Sequence, residues 1–191
     1  YLGAQLEQEG HTAIVLDRRT FATEKAYLGA LKNVKADLIG ICLYATSYTD
    51  VYKLINQIRR FCPSVKVVLG GPEVSANRQE VMELFRNKTD YLLSGEAEYT
   101  LARLANCLAE ENEVGLESIE GLSFFRDGKI CHNPVPIPIK DIDSIPFPKR
   151  DLISPAIWKK WYYRPGLGKP TDVILTSRGC PFLCRFCYRL T

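Results

Sequence analysis

Apolar residues in this chain fall into short continuous runs separated by stretches with helical spacing. Thr12-Ala-Ile-Val-Leu16, Asp37-Leu-Ile-Gly-Ile-Cys-Leu43, Val65-Lys-Val-Val-Leu69 and Asp90-Tyr-Leu-Leu93 each read as a strand buried on both faces. Between them lie helical patterns. Residues 23–33 place Leu28 and Leu31 three apart, and residues 50–61 carry Val51, Leu54, Ile55 and Ile58 on one stripe. Residues 78–87 present Val81, Leu84 and Phe85, and residues 97–110 form a further helix. Tyr1 to Glu9 reads as the end of an amphipathic helix stopped by Gly10. Strict strand–helix alternation predicts an α/β fold, a doubly wound parallel sheet of the Rossmann-like or flavodoxin-like kind. Such a domain normally opens on a strand, so a first strand is expected upstream of the helix that begins this chain.

The pattern changes after residue 110. Gly121 to Arg126 and Lys129 to Cys131 flank Asp127-Gly128, a two-residue turn signal, and predict a β-hairpin. Residues 132–148 then hold five prolines alternating with Ile and Val, which enforces an extended linker crossing a surface. Asp151 to Lys160 suggests a short helix, and Thr171 to Thr176 a last strand running into Cys180.

Composition narrows the picture. The 191 residues are 46% hydrophobic and 25% charged, a globular balance that suggests one domain with extra pieces. The net charge of +3 is too small to argue for nucleic acid. Residues 149–189 concentrate nine Lys/Arg against two Asp, read as a solvated basic linker or, alternatively, an anion-facing surface. No apolar run approaches a membrane span of ~18 residues, and no signal peptide is visible. The odd count of seven cysteines fits a reducing, cytoplasmic setting. The isolated Cys42, Cys62 and Cys107 read as packed thiols.

The chemistry concentrates in Thr176-Ser-Arg-Gly-Cys180-Pro-Phe-Leu-Cys184-Arg-Phe-Cys187. Thiolates select zinc or iron–sulfur clusters. Structural zinc takes four Cys/His ligands, whereas the two histidines, His11 and His132, are distant in sequence. A four-cysteine ferredoxin site would need a remote ligand such as Cys131. Three cysteines leave one iron of a four-iron cluster open for cofactor or substrate chemistry. A zinc site or a disulfide cluster is the alternative.

The spacing Cys-x3-Cys-x2-Cys, with Phe186 just before the last cysteine, resembles the radical S-adenosylmethionine (SAM) superfamily. The resemblance implies that Cys180, Cys184 and Cys187 bind three irons of a [4Fe–4S] cluster and that SAM binds the fourth, with Phe186 near the adenine. One electron then cleaves SAM to methionine and a 5′-deoxyadenosyl radical. It also implies a β/α barrel of on the order of 200 residues. Only four residues follow Cys187, so a truncated barrel is expected here.

Open α/β sheets bind ligands beyond the carboxyl ends of their strands. The loops there read Tyr44-Ala-Thr-Ser-Tyr-Thr-Asp50, Gly70-Gly-Pro-Glu-Val-Ser75 and Ser94-Gly-Glu-Ala-Glu98. Ordinary turns and helix capping by Ser47, Thr49 or Asp50 would explain any one of them. Together they resemble the cobalamin (B12)-binding domain that precedes the radical SAM core in one large subgroup. By that resemblance Thr46, Ser47, Thr49, Gly70, Gly71, Pro72, Gly95, Glu96 and Glu98 contact the corrin or its nucleotide tail. Methionine-synthase-like domains carry Asp-x-His-x-x-Gly, whose histidine binds cobalt. Neither His11 nor His132 sits in that pattern, so no protein histidine is expected on cobalt.

The resulting expectation is a B12-binding-like α/β domain at 1–110, a hairpin and Pro-rich linker at 111–170, and the start of a radical SAM core at 171–191. The resemblance implies a fragment of a cobalamin-dependent radical SAM enzyme, performing methyl transfer or a related ring closure as in the anaerobic cyclase of chlorophyll biosynthesis. It further implies an electron donor such as flavodoxin or ferredoxin and a small-molecule or peptide substrate. Two alternatives stay open: a radical SAM enzyme whose front domain no longer holds cobalamin, and a cobalamin-binding sensor or docking module. No catalytic side chain is assigned.

Overall fold

A computed structural model describes residues 1–153, 163–164, 169–170, 174–180, 182, 184–185 and 187. The main elements in chain order are α1 (Leu2–Gln8), α2 (Glu24–Asn33), β1 (Leu38–Cys42), α3 (Tyr48–Phe61), β2 (Lys66–Gly70), α4 (Pro72–Leu84), β3 (Tyr91–Leu93), α5 (Glu98–Ala109), β4 (Leu122–Arg126) and β5 (Lys129–His132). Two further short strands, β6 (Tyr163–Arg164) and β7 (Lys169–Pro170), pair only with each other.

The sheet runs in the order β1-β2-β3-β4-β5. The first three strands are parallel, in a register that sets Ile41 opposite Leu69 and Leu69 opposite Leu92. The hairpin adds two antiparallel strands, with Leu93 opposite Leu122. Helices cover both faces, as the alternation predicted. On one face Ile55, Ile58, Val81, Met82 and Phe85 of α3, α4 and the residue after α4 pack against Val67, Leu69 and Leu92. On the other, Leu104 of α5 packs with Val68, Tyr91, Leu93, Leu122 and Phe124. Neighbouring residues of β2 therefore serve opposite cores. That is why its sequence is apolar without alternation.

Several expectations are corrected. Thr12 to Leu16 is not a strand, and Ile14 and Val15 are 59% and 45% exposed. A strand needs a neighbour to complete its hydrogen bonds, and the described sheet ends at β1. Cys42 is for the same reason exposed rather than packed. The fourth helix begins at Pro72, not near 78. Pro72 is preset for the first helical position, and a non-helical Asn77 (φ −133°, ψ 43°) interrupts the apolar periodicity behind it. Leu84 points to solvent, and Met82 takes its expected place in the core. Of the expected strand at 171–176, residues 174–176 are not in a strand and Ile174 is 74% exposed, while 171–173 lie outside the described residues. Of the helix expected at 151–160, a single 3-10 turn at Arg150–Leu152 is present and the remainder from 154 lies outside the described residues.

Polar clamps fix the layers. Below the sheet, Arg59 donates to the carbonyls of Val65 (2.6 Å) and Lys88 (2.8 Å) and to Asp90 (2.6 Å). Asp90 also accepts from Val67 N–H at 2.7 Å, so one arginine ties α3 to the starts of β2 and β3. On the hairpin, His132 Nδ1 lies 2.7 Å from Ser123 Oγ and Nε2 lies 2.6 Å from Gln79 Oε1. Because the Gln79 oxygen only accepts, Nε2 carries the proton and Nδ1 accepts from the serine.

Burial, and then the nearby Arg78 charge, lower the His132 pKa below its ordinary 6.5. The unfolded chain therefore binds the proton more readily than the fold does. The contribution of His132 to stability is complete above pH 6.5 and is lost as pH falls through the folded value. His132→Gln should flatten the decline in thermal midpoint between pH 7 and pH 5 relative to wild type, measured by circular dichroism melts (about the span in which histidine titrates).

Candidate functional site

Parallel pairing delivers the carboxyl ends of β1, β2 and β3 to one edge, where three loops turn into the N-termini of α3, α4 and α5. Hydrogen bonds join the loops. Glu73 N–H donates to Leu43 O (3.3 Å), linking the β2 and β1 loops. Gly95 N–H donates to Ser75 Oγ at 2.9 Å, linking the β3 loop to α4. Tyr48 donates to Glu73 Oε1 at 2.9 Å and holds the first turns of α3 and α4 together. Burial, with the hydrogen bond and charge of Glu73, pushes the Tyr48 pKa up to about 12, so it remains a donor throughout the physiological range.

Gly71 is the tightest point of this edge. Its backbone (φ 101°, ψ −176°) lies in a region open essentially only to glycine. A methyl group there would sit 2.6 Å from Cys42 Sγ and 3.0 Å from Leu43 O. The missing side chain therefore lets the start of the β2 loop pack directly against the end of β1, immediately before Pro72 opens α4. Gly70 has room by comparison, with its nearest neighbour Leu93 O at 3.5 Å. Gly95 (φ 80°) is covered by the Pro-rich linker, because a methyl group on it would lie 2.6 Å from Pro136 Cγ.

Most sequence-predicted positions thus converge on one edge. Thr46 and Thr49 are exposed there. Ser47 occupies the N-cap position of α3 but does not cap it: its hydroxyl donates to Tyr44 O and accepts from Tyr44 N–H, both at 3.0 Å. Glu96 and Glu98 sit at the β3 loop, and both bond to Arg178 of the cysteine segment. Glu98 is 8% exposed as a residue. Cys180, Cys184 and Cys187 are exposed thiols, with Cys187 N–H donating to Cys184 O at 3.2 Å. Among the described residues no three His, Cys, Asp or Glu side chains are gathered closely enough to hold a metal ion. The three thiols are the right donor set for a cluster, though they are not drawn together. Phe186 lies outside the described residues.

Both histidines are engaged. His11 Nε2 lies 2.7 Å from Asn106 Oδ1 near the end of α5, toward the opposite edge of the sheet. Sequence reasoning missed Tyr48, Glu73 and Ser75, which join the loops, and Arg178. Their partners lie 20 to 80 residues away along the chain, and no local spacing reports such pairings.

The three loops lie within a stretch that matches a known family. The B12 binding domain family matches residues 1–105. The chain belongs to the B12-binding domain family. An uncharacterized methyltransferase of Pyrococcus horikoshii is 30% identical over 187 residues, 98% of this chain and 39% of the relative. The anaerobic magnesium-protoporphyrin IX monomethyl ester cyclase of a Synechocystis strain is 31% identical over 153 residues, 78% of this chain and 28% of the relative. The cobalamin-dependent S-adenosylmethionine radical enzyme OxsB, solved with aqua-cobalamin and S-adenosylmethionine bound, superposes with a TM-score of 0.67 at 20% identity, over 79% of this chain and 21% of that one. The chain thus spans 39% or less of the length of these relatives. The resemblance read from the loops and the cysteine spacing is borne out at the level of family and fold.

Gly71→Ala should cost about 1–3 kcal/mol of stability, the usual penalty for a side chain in a glycine-only conformation. Gly70→Ala, one residue earlier, should change stability by only about 0.5 kcal/mol. Paired urea titrations read both.

Proposed function

We propose that this chain is the front part of a cobalamin-dependent radical SAM enzyme, most simply a methyltransferase. Residues 1–110 would hold cobalamin, residues 111–170 would form the hairpin and linker, and residues 171–191 would begin the catalytic core. The observation that carries the reading is the shared carboxyl edge: three loops within the family-matched region, one of them turning on a glycine-only conformation at Gly71, in one chain with the three-cysteine motif. The Pyrococcus relative supports methyl transfer. The cyclase relative supports the second reading, a radical ring closure. When bound, the cluster with SAM supplies one-electron bond cleavage and cobalamin supplies a methyl carrier.

The residues present fit these groups. Backbone at Gly70 and Gly71, the exposed hydroxyls of Thr46 and Thr49, and the helix N-terminus at Pro72 suit a large ligand bearing amides and a phosphate. Cys180, Cys184 and Cys187 would supply three thiolates, and Phe186 an adenine contact. A reducing, cytoplasmic setting and a one-electron reductant such as flavodoxin or ferredoxin would complete this reading. No described helix is long and apolar enough to cross a membrane.

Anaerobic reconstitution of the full-length protein with iron and sulfide, with and without hydroxocobalamin, tests the proposal by absorbance. Iron and corrin retained together support it. Iron alone would indicate a front domain that no longer binds cobalamin, and corrin alone a sensor or docking module. Replacing Cys180, Cys184 and Cys187 with Ala should abolish iron binding and leave corrin in place. The Co(II) resonance of the loaded protein should show no protein imidazole nitrogen, and His11→Asn should not alter it.

A further inference from the structure

Arg178 lies two residues before the first cysteine of the motif, and its side chain reaches back 80 residues to the β3 loop. One guanidinium nitrogen donates to Glu98 Oε1 at 2.7 Å, and the other lies 3.3 Å from Glu96 Oε1. The second oxygen of Glu96 accepts from the Ile139 N–H of the Pro-rich linker at 2.6 Å. The guanidinium also lies over the Tyr1 ring, 5.7 Å from its centre. A single cation is therefore held by the β3 loop, the first turn of α5 and the residue preceding α1. Through Glu96 it shares a carboxylate with the linker.

This is more than a surface ion pair. The Arg178 side chain is 19% exposed and that of Glu98 is 10% exposed, so solvent screens the pair less than an open one. Partial burial alone would lower the arginine pKa. The hydrogen bonds and charges of Glu98 and Glu96 overcome that and hold it above its ordinary value. The N-terminus of α5 favours the Glu98 carboxylate further. By contrast, the flanking Ile174 to Ser177 and Gly179 to Cys180 are all exposed, so Arg178 is the anchored point of this stretch.

We propose that Arg178 is a positioning residue and that Gly95-Glu96-Ala97-Glu98 is its socket, which fixes where the three-cysteine loop leaves the B12-binding edge. Glu96 and Glu98 then act as anchors for that loop rather than as corrin contacts. That this anchoring brings cluster and corrin chemistry to one edge rests on the function proposed above; the ion-pair clamp itself does not.

The test uses the full-length protein and its Arg178→Gln, Glu98→Gln and doubly substituted variants. Limited subtilisin cleavage, with sites mapped by mass spectrometry, reports opening at 174–180, and absorbance after gel filtration reports retained corrin. Each single variant should be cut there about tenfold faster, the scale of one lost charge-assisted hydrogen bond. The double variant should be cut no faster than Arg178→Gln alone, because Glu98 has no partner left to lose once the guanidinium is gone, and corrin retention should stay at the wild-type level in all three. Arg178→Lys, which keeps the charge but not the fork that spans two carboxylates, should fall between wild type and Arg178→Gln. It replaces Arg178→Gln if that variant does not fold. Unchanged cleavage, or additive effects in the double variant, would overturn the clamp. So would Glu98→Gln losing corrin while Arg178→Gln keeps it. A wild type that holds no corrin would defeat the functional reading instead, and the cleavage rates would still decide the clamp.

Discussion

Parallel pairing is the constraint on which the rest of this structure depends. Once β1, β2 and β3 run in the same direction, every strand must leave the sheet at one edge and every return helix must start there. Three chain reversals then crowd into the width of three strands, roughly 10 Å between the outer two. The crowding selects the residues. Gly71 takes a conformation that a side chain would forbid, because its Cβ would strike Cys42 and Leu43 of the neighbouring loop. Ser75, Glu73 and Tyr48 absorb the backbone and side-chain polar groups that the reversals leave over. The same crowding brings three helix N-termini, with their unpaired N–H groups and positive dipole ends, to that edge.

The hairpin shows the opposite use of the sheet. β4 joins β3 in antiparallel fashion, so the chain returns to the carboxyl edge at the end of β5 rather than at the far end. From His132 onward the linker is already beside the β3 loop. Asn133 secures it by donating to Leu116 O and Ile119 O at 2.7 and 2.8 Å, and Gly121 N–H donates to Pro134 O at 2.6 Å.

The sequence carried the fold wherever the signal was local. Continuous apolar strands, the stripe of α3 and the Asp127-Gly128 turn all gave their elements within a few residues, because each depends on neighbours in the chain. The Thr12 to Leu16 run failed because strand formation depends on a partner strand, which composition does not report. The start of α4 is hidden in the sequence because Gly71-Pro72 is also a turn signal and the kink at Asn77 breaks the apolar periodicity. At the site, the glycines and hydroxyls were legible from motif and position. The bonding of Glu96 and Glu98 was not. The family resemblance makes both candidate corrin contacts, whereas in this structure both bond to Arg178, which lies 80 residues beyond Glu98.

That distance explains why the β3 loop combines glycine with two carboxylates. A loop built only to admit a ligand would need Gly95 and little else. Here Gly95 allows Pro136 to lie against the backbone, Glu96 takes the N–H of Ile139, and Glu96 and Glu98 together hold Arg178. Linker and cysteine segment, both downstream in the chain, are thus seated on the same few residues. The tether from β5 is long and proline-stiffened, which limits its reach without fixing its end. A charge clamp just before Cys180 fixes that end, and it does so beside the loops that the family shares.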